Sequence, residues 1–74
     1  MNPTEIIQRL HDSEINGAID WLFDGVWRWR IGSSVDWKHK GQADTLERAV
    51  HDLAEKAFAE FPKSSFAQWW AGQR

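Results

Sequence analysis

Cysteine is absent from the chain, which excludes a disulfide framework, a thiolate zinc site and a cysteine nucleophile. Long apolar runs are missing as well. None exceeds three residues, so neither a membrane span nor a signal-peptide core is expected. Glycine is sparse, and its five copies are scattered among turns instead of forming a loop that could cradle phosphate. Ser33 and Ser34 stand in a turn without the G-x-S-x-G elbow that would expose a nucleophile. The three histidines, His11, His39 and His51, belong to three separate segments and show no metal-ligand spacing. The carboxylates that can be placed have structural duties in caps, turns and solvated helix faces. No catalytic group, metal site or cofactor is therefore expected, and the chain reads as a non-enzyme.

What is present describes one small domain over residues 1–74, with 27% charged side chains and a net charge of −2. A mean hydropathy of −0.61 fits a soluble protein, with the cytoplasm as its expected location. A chain this short buries only about 60% of the surface its unfolded form exposes. Six tryptophans supply the bulk of that thin core.

Asn2-Pro3-Thr4-Glu5 opens a helix over about residues 3–12, with Asn2 as cap, Pro3 in the first turn and Glu5 closing a capping box. Asn16-Gly17 is a turn signal that requires the helix to have ended. Residues 17–31 form a hairpin whose register follows from parity. Ile19, Trp21, Phe23, Trp27, Trp29 and Ile31 are all odd-numbered. A two-residue Asp24-Gly25 turn would split them between faces, whereas a Phe23-Asp24-Gly25 loop with Gly25 in a G1 bulge keeps them together. Trp21 then faces Trp27, Ile19 faces Trp29, and Asp20 lies opposite Arg28 as an ion pair. Gly32-Ser33-Ser34 turns into a third strand at about 35–40, with Val35, Trp37 and His39 on the same face, and Gly41-Gln42-Ala43 is a brief connection.

Asp44-Thr45-Leu46-Glu47 is a second capping box, with Asp44 as cap. Behind it Leu46, Ala49, Val50, Leu53, Ala54, Ala57, Phe58 and Phe61 repeat at helical spacing until Pro62 ends the run. Ser65 caps a short terminal helix carrying Phe66, Trp69 and Trp70, stopped by Gly72. The fold class is α+β: a two-layer α-β-β-β-α sandwich of a three-stranded antiparallel meander, a long second helix and a short C-terminal helix. Both helices before the terminal one cover the odd face of the sheet, and the even face is open.

In element order this layout is similar to the double-stranded-RNA-binding domain. That family's Lys-rich start to its second helix reads Asp44-Thr45-Leu46-Glu47 here, so its binding residues have nothing to map onto. Three segments, Leu10-His11-Asp12-Ser13-Glu14-Ile15-Asn16, the strand ending at Asp24-Gly25, and Pro62-Lys63-Ser64-Ser65-Phe66-Ala67, resemble a family of small uncharacterised bacterial proteins. That likeness implies a bacterial origin and the same fold, with no mechanism attached.

Two surfaces are candidates for function. Trp69 and Trp70 are consecutive, and side chains about 100° apart on a short helix are hard to bury together. The pair either wraps a corner of the core or offers one ring to another chain. The second surface is the even face of the sheet, where alternation gathers Arg28, Arg30, Lys38 and Lys40. Residues 26–40 carry four positive charges against one negative, while residues 1–25 and 41–61 are acidic. Three-stranded sheets backed by a helix read DNA with such a face, as in the integrase-arm domains this layout resembles. The expected function is a protein–protein interaction module, with self-association as one form. The alternative is a nucleic-acid-binding domain using the basic face.

Overall fold

The computed structural model describes residues 2–32 and 36–73. Along them run α1 (Pro3–Asp12), β1 (Asn16–Trp21), β2 (Trp27–Gly32), β3 (Trp37–Ala43), α2 (Leu46–Glu60) and α3 (Ser65–Gln73). The strands form one antiparallel sheet in the order β1-β2-β3. α2 lies across β2 and β3, with α1 and α3 packed against α2. Ser33, Ser34 and Val35, where the turn and the start of the third strand were expected, lie outside the described residues.

α1 begins as its sequence dictates. The Asn2 side-chain oxygen accepts the Thr4 N–H at 2.8 Å, and Pro3 occupies the first turn. The helix is closed by a Schellman motif, earlier than the Asn16-Gly17 signal. Ile15 N–H donates to the Leu10 carbonyl at 3.1 Å and Glu14 N–H to the His11 carbonyl at 3.0 Å. Glu14 takes the left-handed conformation, φ 60°, that this motif demands. Leu10 and Ile15, the apolar pair that accompanies it, are both buried. Asn16 and Gly17 are consequently free to start β1.

The hairpin has the register that parity requires. Ile19 pairs with Trp29, Asp20 with Arg28 and Trp21 with Trp27. Gly25 sits at φ 79° and donates to the Leu22 carbonyl at 3.3 Å, which is the G1-bulge geometry. The indoles of β1 and β2 thus share one face, where Trp29 and Ile31 are buried. Trp29 also reaches over β3: a Cβ at Gly41 would lie 2.5 Å from Trp29 Cζ2, so only glycine leaves the indole room.

The third strand departs from the expected one. It runs from Trp37 to Ala43, so Gly41, Gln42 and Ala43 are strand and not connection. A bulge opposite Ile31 and Gly32 pairs Ile31 with His39 but Gly32 with Trp37. The extra residue resets the alternation. Trp37 moves to the even face, where the Arg30 guanidinium lies 5.1 Å from its ring centroid. Lys38 leaves that face and lines hollows on the helical side with Phe61 and Ser64.

Because β3 is longer, α2 starts later. Its cap is Thr45, whose hydroxyl accepts the Arg48 N–H at 3.1 Å, and not Asp44. Ala49, Val50, Leu53, Ala54 and Ala57 are buried along one side, with Leu46 and Phe58 packed at its margins. The helix ends at Glu60, before Pro62, and leaves Phe61 partly exposed. In α3 the capping hydroxyl is that of Ser64, which accepts from Ala67 N–H at 3.1 Å, and the helix runs through Gly72 to Gln73. Gly72 has open space around it and acts as no stop.

Candidate interaction surfaces

α3 wraps a corner of the core. Trp70 is wholly buried, stacked on Phe66 at 5.9 Å with the rings 14° apart. Its indole N–H donates to Glu55 Oε2 at 2.6 Å, which satisfies the one polar atom the ring carries inside. Trp70 has no surface to present to another molecule. Trp69 is half-buried against Phe66, with the Arg9 guanidinium carbon 4.9 Å from its centroid. The two rings that the sequence could not place are therefore assigned to packing and to a covered margin.

The even face of the sheet gathers Arg28, Arg30 and Lys40 around a shallow hollow of about 460 Å³ that Asp20 and Gln42 also line. Lys38 is missing from it for the reason given above, and Trp37 is present instead. Arg28 is turned toward the hairpin loop: its Nη2 lies 2.6 Å from Asp24 Oδ2. Asp20, directly across the ladder, was the expected ion-pair partner. Asp24 competes successfully because its carboxylate is already fixed by accepting the Val26 N–H at 3.0 Å. The Arg28 hydrogen bond, then that backbone N–H, hold the Asp24 carboxyl below the usual carboxylate range. The same bond raises Arg28 above its ordinary value.

On the helical face, at the β3 margin, His39 Nε2 lies 3.0 Å from Glu60 Oε1, and both side chains are partly exposed. This pair ties β3 to the end of α2. Among the described residues no group of three His, Asp or Glu side chains converges as metal ligands, and no helix is long and apolar enough to cross a membrane.

The largest apolar exposure lies elsewhere. α2 leaves the hairpin tip uncovered, so Trp21 is 64% exposed, Leu22 is 60% exposed and Phe23 is fully in solvent. Trp21 is held by Trp27 across the ladder, ring centroids 5.2 Å apart. At the other end of β1 from the tip, the gap between α1 and β1 forms a hollow of about 360 Å³ lined by Ile7, Leu10, Ile15, Gly17 and Ile19, with Leu53 as its floor. Ile7 stands exposed on its rim. The sequence carried a signal for this surface: Trp21-Leu22-Phe23 is among its longest apolar runs and leads straight into the loop. A loop residue has no neighbouring strand or helix to cover it. No family model, curated protein or solved structure matches the chain.

Proposed function

We propose that the chain is a non-enzymatic interaction module of the cytoplasm that acts by protein–protein contact through the hairpin tip. One observation carries this reading. Trp21, Leu22 and Phe23 are consecutive, large and apolar, and they are the most exposed of the large hydrophobic side chains described, while Ile7, Trp37 and Phe61 stand out singly and less. Aromatic anchors of this kind dominate binding energy at protein interfaces, and a contiguous exposed apolar patch on a small domain marks such a site. The test is capture by the immobilised wild-type chain, compared with Phe23→Ser. That substitution removes a ring with no contacts to lose, so the fold is expected to survive it. Proteins held by wild type and released by the variant support the reading. Equal retention by both, or retention by neither of any protein, added copies of the chain included, overturns it.

A second reading rests on the even face, where Trp37 beside Arg30 adds an aromatic platform to the three cations Arg28, Arg30 and Lys40. Stacking rings next to cations suit single-stranded nucleic acid. Titration with short DNA and RNA strands at low salt would shift the amides of β2 and β3 under this reading. Unchanged amides would remove it.

A further inference from the structure

The two margins of the sheet are built differently. β3 carries Lys38 and Lys40 and a bulge, the usual devices that keep an edge strand from pairing with another chain. β1, Asn16-Gly17-Ala18-Ile19-Asp20-Trp21, has no lysine, proline or bulge, and no described strand pairs with its outer side. The Gly25 to Leu22 bond fixes the alternation of the ladder. Ala18 and Asp20 exchange their bonds with β2, while Gly17, Ile19 and Trp21 direct theirs outward.

We infer that the partner of the hairpin tip is a second copy of this chain, joined by antiparallel β1–β1 pairing about a two-fold axis at Ile19. This deepens the proposed function and rests on it. The register is chosen by what each alternative would oppose. An axis at Asp20 would set two carboxylates face to face. An axis at Ala18 would set Ile19 opposite Gly17 and carry Trp21 past the recess beside it. At Ile19, Asp20 lies beside Ala18 of the second copy, and Trp21 lies over Gly17 of the second copy. Gly17 has no side chain, and the space beside it is the hollow walled by Ile7, Ile15 and Ile19. The chain thus holds both the projecting ring and the recess that receives it, at matching places along one strand. A two-fold contact of this kind uses the same patch on each copy and closes on itself. A stable dimer needs about 800 Å² from each partner, roughly a sixth of the 5062 Å² exposed here. Trp21 and Phe23, at about 150–250 Å² each, approach half of that requirement.

Position 18 tests the register directly. Ala18 faces Arg30 within its own sheet and Asp20 of the second copy across the axis. Ala18→Glu therefore stabilises the monomer yet weakens the dimer, and Ala18→Lys does the reverse. Sedimentation from micromolar to millimolar concentration should show a wild-type dimer, with several-fold weaker association in Ala18→Glu and several-fold tighter in Ala18→Lys. Hydrogen exchange supplies the second readout: the Gly17, Ile19 and Trp21 amides should slow by at least about tenfold on concentration. A chain monomeric at millimolar concentration overturns the inference. So does a dimer in which those amides exchange as fast as in dilute solution, or one indifferent to charge at position 18. If a monomeric chain still captures another protein in a Phe23-dependent way, self-pairing alone fails. If that capture is also absent, the parent reading fails with it.

Discussion

Gly41 and Trp29 are a pair in which one residue exists to make space for the other. The Trp29 ring crosses β3 where a Cβ would lie 2.5 Å away, and backbone on one side and α2 on the other leave the ring little room to yield. Gly41→Ala should cost about 1–3 kcal/mol, a large share of the roughly 4–11 kcal/mol that a chain of this size can be expected to have. Urea unfolding measures it, and an unchanged midpoint would mean the ring moves freely. Glu14 is the opposite case, a side chain in a conformation that suits glycine. Glu14→Gly should raise stability by about 1 kcal/mol or less, since the relief of left-handed strain exceeds the entropy that glycine loses. Thermal unfolding checks the sign. Neither site was legible beforehand. Gly41 read as a connector because its partner ring is twelve residues away, and the left-handed cap at Glu14 carries no glycine to announce it, although the helix end at residue 12 was read correctly.

At the level of elements, the hairpin was the most legible part of the molecule. The odd-numbered aromatics and the Asp-Gly pair admit one register that keeps the rings on one side, and that register is the one observed. The β3 bulge was illegible because apolar and polar residues alternate straight through it, and the glycine that makes room for it, Gly32, where a Cβ would lie 2.6 Å from Lys38 N, stands on the facing strand and read as part of a turn. One unmarked residue moved Trp37 and Lys38 to faces opposite those expected, so the candidate basic face was read with three of its four cations in place. Caps were legible to within a residue. Thr45→Ala should cost about 0.5–2 kcal/mol, read from thermal unfolding, whereas Asp44→Ala should cost less. The loop also has a pH signature. Asp24 titrates lower in the folded chain than in the unfolded one. Its ionised form therefore stabilises the hairpin above the ordinary carboxylate value, and that contribution is lost as pH falls through the depressed one. The stability difference between wild type and Asp24→Asn should be constant near neutrality and shrink below about pH 4. Amide shifts of Arg28 and Val26 would follow the same curve.

Over the whole molecule, burial is uneven in a way that composition alone does not reveal. Six tryptophans in 74 residues mark where the core takes its bulk, yet they are distributed from full burial at Trp70 to wide exposure at Trp21. The reason is coverage. α2 is centred on β2 and β3, so rings beneath it are enclosed and those beyond it, at the hairpin tip, are not. Acrylamide should quench the emission of wild type strongly through Trp21. Trp21→Phe should lose the largest single share of that accessible fraction, with Trp37 supplying part of the rest, while Trp70→Phe should leave it intact and lower stability by about 1–3 kcal/mol through the lost bond to Glu55.

The lysines and the bulge on β3 have a further meaning once β1 is joined. An assembly whose units each have one adhesive side and one repellent side stops at two, because nothing can be added to either end. Were both sides adhesive, the same stacking would continue without limit and give filaments. Replacing Lys38 and Lys40 with threonine would weaken the brake to the bulge alone, and the expected outcome is association beyond the closed pair at high concentration.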